Sequence, residues 1–412
     1  MNIMTIKAKW TLPLLVVALW CAGMTVAAKN IIYSDNIKTL TSVVNNDWLS
    51  EPLLVLGTND VMRVGFDEMS HDYHRYVYRI EHCENDWSTS EDIFESDWLD
   101  GFNGLTIDNM QNSINTNVLY THYSLEFPDS RCSVKMSGNY RMKICDEDNG
   151  GEVVAEVRFR VLEPLMAMSM TMTSNTDIDV NKSHQQISVK LDYGSVNITN
   201  PDEELMLVVT QNNREETARR GVRYNFRNNR GLEWQHNKSL IFPGGNEYHK
   251  FEILDVSHPT MGIDNIFWDG GSYQVYPFAC KPSDNYLYDE DANGAFFIRN
   301  SDNTEIDYTC EYVFVNYELH SPYVGPVSID GMWTTDADKS RYVMEYDSAT
   351  QTYSVRIMQK LGYYNYMFTA ENGQAAKTEG SYYQTENSYQ AYIYYKGTGA
   401  RTWRLVGFRG LR

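Results

Sequence analysis

Ser137-Gly-Asn-Tyr140-Arg-Met-Lys-Ile144, then Asp146-Glu-Asp-Asn-Gly150, then Val153-Val-Ala-Glu-Val-Arg-Phe-Arg-Val161 read as two strands joined by an acidic turn. The Asn149-Gly150 step favours the positive φ angles of a tight hairpin. Just upstream, Ser137 to Tyr140 has the form of a corner where a β-sandwich chain crosses between sheets, with Tyr140 bonding back to the backbone. Working outward, Pro52-Leu-Leu-Val-Leu56, Val61-Met-Arg-Val-Gly-Phe66 and Tyr76-Val-Tyr-Arg-Ile80 are further strands. Leu162-Glu-Pro164 interrupts the pattern. Residues 29–164 are therefore expected to form an immunoglobulin-like sandwich.

The same style continues without an internal repeat. Gln186 to Leu191, Leu205 to Thr210, Phe251 to Leu254, Tyr273 to Phe278 and Tyr312 to Tyr317 read as strands. Asn285 to Tyr288 and Ala295 to Ile298 flank a second acidic tip. His320-Ser-Pro-Tyr-Val-Gly-Pro326 breaks the pattern and predicts a boundary, giving a second sandwich over 165–321 and a third over 322–412. Tyr353 to Ile357, Tyr363 to Phe368 and Tyr389 to Tyr395 supply strands to the last of these. The expected fold class is all-β, about three tandem immunoglobulin-like sandwiches. Composition agrees: 412 residues carry 30 Tyr, 15 Phe and 9 Trp, types that favour strands. Acidic residues number 55 against 35 basic, a formal charge of -20. Such a chain repels phosphate backbones and anionic lipid, so neither nucleic acid nor a membrane surface is an expected partner.

Lys7 and Lys9 precede an apolar run from Leu12 to Met24, and Val26-Ala-Ala28 follows. This is the pattern of a secretory signal peptide over residues 1–28, with cleavage expected after Ala28. The run is shorter than the roughly 20 residues needed to span a bilayer. Bulky Trp20 before Cys21 argues against a lipid-modified cysteine, so no direct lipid anchor is expected. Losing Lys7 and Lys9 takes the formal charge from -20 to -22. Downstream lie Cys83, Cys132, Cys145, Cys280 and Cys310, an odd set without a C-x-x-C pair. A two-residue loop at Gly138-Asn139 would set Cys132 opposite Cys145 and permit a disulfide. The corner reading, which is preferred, puts the two in different sheets.

Chemistry-bearing motifs are sparse. Asp289-Glu-Asp291-Ala-Asn293-Gly294 matches the start of a calcium loop, but position twelve is Asn300 and a strand follows instead of a helix. His71 and His74 would point to opposite faces of a strand, and no third zinc ligand stands at a suitable spacing. No metal, cofactor or catalytic residue is expected. Trp333, Tyr363, Tyr364 and Tyr366 could stack on sugar, which makes an envelope glycan-binding protein the alternative function.

An ordered set of short motifs is more informative. Tyr78-Arg-Ile-Glu-His-Cys-Glu-Asn-Asp-Trp87 leads to Asp97-Trp-Leu-Asp-Gly-Phe-Asn-Gly-Leu105, then to Asn115-Thr-Asn-Val-Leu-Tyr-Thr-His-Tyr-Ser-Leu-Glu-Phe-Pro128. Asn200-Pro201, Gln211-Asn212, Phe242-Pro-Gly-Gly-Asn-Glu-Tyr248, Glu379-Gly-Ser-Tyr-Tyr-Gln-Thr-Glu-Asn-Ser-Tyr389 and Leu405-Val-Gly407 follow. In this order they resemble the type IX secretion system plug protein family. The tail from Ser328 to Tyr366 also resembles early-set domains related to glycogen-binding modules, without their paired tryptophan platform. The resemblance implies a non-enzymatic periplasmic protein that docks on a very large outer-membrane translocon barrel and closes its periplasmic mouth. Exposed members of the set Trp87, Trp98 and Phe102 are the expected partner-binding anchors.

Overall fold

Gly138–Asp146 and Glu152–Leu162 pair antiparallel along their length, with Tyr140 opposite Phe159 and Met142 opposite Val157. In the turn between them, Asp146 Oδ1 accepts from the backbone N–H of Asp148 at 3.0 Å and of Asn149 at 3.2 Å. Positive φ falls on Gly150 and Gly151, after Asn149, where no Cβ opposes it. The Tyr140 hydroxyl donates to the Met136 carbonyl at 2.6 Å, which is the expected corner. Cys132–Val134 accordingly leaves this sheet and pairs with Leu99–Gly101, and the Cys132 and Cys145 thiols are free. The computed structural model describes residues 29–283, 285–370 and 379–412. The expected signal peptide and its cleavage at Ala28 lie outside them.

The hairpin sits in a sheet with Tyr76–Cys83, Leu105–Thr106, Ile31–Ile32 and a parallel Leu53–Val55. Ile37–Val44, Met62–Glu68, Thr121–Phe127 and Asn109–Asn112 make the facing sheet. Phe66, Tyr76, Tyr123, Tyr140 and Phe159 fill the space between, and Phe66 stacks on Tyr123 at 5.3 Å. Burying each such ring contributes about 1.5–3 kcal/mol.

The two other bodies depart from the expected division at 321/322. One sheet of the second body contains Ala167–Thr173, His184–Asp192, Gly231–Trp234, Phe226–Asn228 and Ile241–Pro243. Its facing sheet is Arg214–Arg220, Leu205–Gln211, Tyr389–Tyr395 and Arg404–Leu411. The last two strands therefore complete the second sandwich, and the third body is inserted within it. That third body pairs His249–Ile253, Phe296–Ile298, Ser328–Asp330 and Gly362–Thr369 in one sheet. Ile263–Trp268, Tyr273–Pro277, Tyr312–His320, Thr352–Lys360 and Glu345–Asp347 form the other. Tyr312–His320 bonds to Thr352–Lys360 across the expected boundary, so His320 to Pro326 is a loop inside one sandwich. Strand patterns report burial but not pairing partners, so a β-rich stretch does not say which sandwich it joins. Asn285 to Tyr288, expected as a strand, has no strand pairing.

Buried polar contacts lock the bodies together. Lys360 and Asp67, 1% and 0% exposed, pair at 2.7 Å between the third and first bodies. The Tyr312 hydroxyl donates to Asp67 at 2.6 Å, and His122 Nδ1 lies 2.6 Å from its other oxygen. Burial alone would raise the Asp67 carboxyl, but Lys360 and His122 hold it below the usual range. At a neighbouring joint Asp330 meets Lys29 at 2.8 Å and Arg214 at 3.1 Å, and despite burial its carboxyl is likewise held low. Between the first and second bodies, Arg160 donates to Tyr394 at 3.2 Å, pairs with Glu215 at 3.1 Å and lies 4.1 Å from the centre of the Tyr392 ring.

Replacing Asp67 by Asn leaves the Lys360 charge buried without its counter-charge, so urea denaturation is expected to show a loss of about 3–5 kcal/mol. Both carboxyls are depressed in the folded state, so their stabilisation is present above the unfolded carboxylate pKa of about 3.9 and is lost as pH falls below it. Small-angle scattering between pH 7 and pH 3 should stay constant down to about pH 4 and then expand. The Asp67→Asn variant should expand at a higher pH than the parent.

Candidate docking surface

The three expected anchors separate. Trp87 is 1% exposed, beneath the guanidinium groups of Arg160 at 4.9 Å and Arg158 at 5.7 Å. Trp98 is 6% exposed and packs on Tyr140 at 5.8 Å and His82 at 6.4 Å. Neither can meet a partner. Their indole area is spent on a joint and on the first core. Phe102 alone lies on the surface, at 73% exposure.

A short helix, Glu95–Trp98, explains the split. It turns Trp98 inward and leaves Phe94 exposed at its start, while Phe102 follows the Leu99–Gly101 strand. Asn103 pins this segment by accepting from Ile80 N at 2.8 Å and donating to Ile80 O at 3.0 Å. Arg401 of the second body lies over Phe94 at 5.9 Å and pairs with Asp97 at 2.8 Å, so the patch is held from two sides. Sequence reading missed Phe94, although its position just before an acidic turn of helix was a signal.

It also missed a second patch. Ile263–Trp268 is the edge strand of the larger third-body sheet, and Phe267, Trp268 and nearby Phe278 are exposed. Phe267 stacks on Tyr276 at 5.8 Å and Trp268 meets Tyr273 edge-on at 4.9 Å. An exposed aromatic edge strand also offers unpaired backbone groups to a partner. Asp269-Gly-Gly-Ser272 between two aromatic runs was the sequence signal for this hairpin.

The other candidates are spoken for. Trp333, Tyr364 and Tyr366 are 8%, 2% and 3% exposed, packed around Tyr317 and Phe251, and Tyr363 lies against Trp48. They form no open platform for a sugar. A cleft of about 520 Å³ between the first and third bodies is lined by Lys38, Arg341 and Lys360, and each pairs with Asp35, Asp336 or Asp67. In the acidic tip, Lys250 holds Asp289 at 2.6 Å while Asp291 accepts from Asn293 N at 2.7 Å and from Tyr248 N. His71 bonds Ser113 at 2.9 Å, apart from His74. His74, Asp146 and Asp148 converge, but both carboxylates already accept backbone N–H groups of their own turn and of Arg75.

Several residues of the motifs quoted from the sequence fall at the joints instead, or where the chain passes between the second and third bodies. Glu84 accepts from the Thr402 hydroxyl at 2.7 Å and from Trp403 N at 3.2 Å. Asn117 donates its side chain to Glu311 at 2.9 Å, and the Tyr120 hydroxyl donates to the Cys310 carbonyl at 2.8 Å. Gly244 lies so close to the Tyr382 carbonyl that a Cβ would stand 2.0 Å from it. Asn387 donates to the Gly244 carbonyl at 2.7 Å. The description "Type 9 secretion system plug protein 1st domain" matches residues 37–163, the first body. The chain belongs to the type IX secretion plug family. A crystal structure of a hypothetical protein from Parabacteroides merdae ATCC 43184 is similar over the plug-family chain as a whole. It is 34% identical with a TM-score of 0.88, over 93% of this chain and 99% of that one. Comparison with curated proteins gives no match. The family is a secretion-system component, and this member is a tandem β-sandwich protein with an envelope-associated secretion role. Among the described residues no helix is long and apolar enough to cross a membrane.

Alanine at Trp98 is expected to cost about 3–5 kcal/mol in denaturant titration, as for a buried aromatic, and alanine at Trp87 a comparable amount. Alanine at Phe102 or Trp268 should change stability by less than about 0.5 kcal/mol. A Trp87 variant with parental stability would show that its cover of arginines contributes nothing.

Proposed function

We propose that this protein is a non-enzymatic periplasmic accessory of the type IX secretion system. It docks on the very large outer-membrane translocon barrel and seals the periplasmic opening when no cargo passes. The match of the first body to the plug family carries this reading. The physical requirements of a stopper support it. Such a body must resist deformation, and buried ion pairs at the joints stiffen the three sandwiches against one another. It must also stay dispersed before docking, which a formal charge of -20 favours. Phe94 and Phe102, exposed apolar side chains within the matched domain, are the proposed anchors. The glycan alternative has lost its stacking surface, since the rings it invoked are packed inside or between bodies.

The test is electrical. Purified translocon barrel in a planar bilayer should conduct, and adding this protein on the periplasmic side should lower the conductance. Raising salt should slow the onset, because long-range attraction between the acidic body and basic patches on the rim is screened over about 8–10 Å. A Phe94→Ala/Phe102→Ala double variant should fold normally and close the pore at least about tenfold less tightly, the scale of losing interface anchors. An unchanged conductance with the parent protein, or retention on polysaccharide without barrel binding, would overturn the reading.

A further inference from the structure

One side-chain cluster belongs to neither the joints nor the exposed patches. Cys280 is held like an extra strand residue beside Tyr312–His320: its N–H donates to the Glu318 carbonyl and its carbonyl accepts from His320 N–H, both at 2.9 Å. Its Sγ lies 3.7 Å from His249 Nδ1 and 3.4 Å from the Tyr366 hydroxyl. On the far side of the imidazole, Nε2 is 3.2 Å from both carboxylate oxygens of Glu379. Glu379 is 4% exposed and is fixed by accepting from Phe368 N–H at 2.9 Å. The His249 ring is held between Tyr366 and Phe368, each centred 5.3 Å away. A thiol, an imidazole and a carboxylate thus stand in line, each fixed by a separate strand or backbone contact.

This order of groups is that of an activated thiol: a base beside the sulfur, and a third group orienting the base. Burial disfavours a charge on His249, yet Glu379 and Cys280 outweigh it and push the imidazole well above its ordinary pKa. The groups facing His249 are Glu379, Cys280 and the Tyr366 hydroxyl, with Tyr317 behind Tyr366. The imidazole is accordingly suited to hold a proton beside Cys280 until a leaving group takes it, while Tyr366 can donate a hydrogen bond to the sulfur. The four other cysteines outside the signal segment are buried. Burial pushes the thiols of Cys83 and Cys132 up to about 11 and that of Cys310 up to about 12. Cys280 is partly exposed.

We propose that Cys280, with His249 as its base and Glu379 as the positioning residue, is a reactive thiol site for disulfides, a role separate from translocon docking. The Cys280 proton moves to His249, and the thiolate attacks one sulfur of the disulfide. A new S–S bond forms as the old one breaks. The departing sulfur takes the pair of electrons and then the proton from His249, so the products are a mixed disulfide at Cys280 and one free thiol. Small thiol disulfides and disulfide-bonded peptides share this chemistry.

Oxidised glutathione and a disulfide-bonded peptide are each mixed with the full folded protein, and the adduct is followed by intact mass and located by peptide mapping. At pH 6 one adduct per chain is expected, at Cys280. His249→Gln should slow it at least about tenfold at pH 6 and far less at pH 9, where a thiol ionises unaided. Glu379→Gln should give a smaller slowing with the same pH trend, and it serves as the reading if the histidine variant fails to fold. Whichever probe reacts faster identifies the source of the disulfide. Reaction elsewhere before Cys280, or identical pH profiles for the parent and the folded variants, would overturn the proposal.

Discussion

An ammonium group and a carboxylate taken fully out of water at a seam between domains constrain everything around them. Lys360 and Asp67 come from strands of different sandwiches, so neither charge is answered until the two bodies dock. A buried pair of this kind adds little net stability over apolar packing, but any arrangement that separates its members is penalised by an exposed cavity or an unpaired charge. It acts on geometry more than on stability. Tyr312 and His122 complete the shell around Asp67, and Tyr120 covers Lys360 with its ring at 4.2 Å. One relative orientation satisfies all of them. The joints at Asp330 and Arg160 repeat the device on the other seams, giving a body whose three parts are oriented by directional contacts.

How much of this was legible in the sequence depended on the range of the interaction. The hairpin around Asp146 to Gly151 and the Tyr140 corner are local, and their signals lay within a few residues. Partnership between distant strands was not local, so Tyr389–Tyr395 was assigned to the wrong sandwich. The strand ending at Leu162 is instructive. Its alternation places Glu156, Arg158 and Arg160 on one face, which elementary patterning would give to solvent. They are buried because Arg158 pairs with Glu156 while Arg160 is covered by another domain. Trp87 fails as a surface anchor for the same reason. Aromatic type alone cannot tell a side chain meant for a partner protein from one meant for a neighbouring domain. Cys280, His249 and Glu379 are far apart in the chain, and no spacing could have united them.

The motifs that carried the resemblance now have a physical meaning. Glu84, Asn117, Tyr120, Gly244 and Asn387 are not arranged around a cavity. Glu84, Asn117 and Tyr120 fasten the first sandwich to the other two through side-chain hydrogen bonds, while Gly244 and Asn387 meet where the chain leaves and re-enters the second sandwich around the inserted third. A family recognised by such residues is recognised by its assembled shape.

Insertion of the third sandwich into the second sets the timing of folding. Thr210 must wait for Gln390, 180 residues later, before their strands meet. Until then the sheet that holds Leu207 and Val209 lacks its last two strands, Tyr389–Tyr395 and Arg404–Leu411, while the first sandwich is built from a continuous stretch and can close early. A chain emerging from its N-terminus would thus carry one finished domain and one open half-sandwich for most of its synthesis. The fold becomes a test of its own completeness: only a chain delivered to its last strands hides its apolar faces, and any shorter product stays visible to proteases.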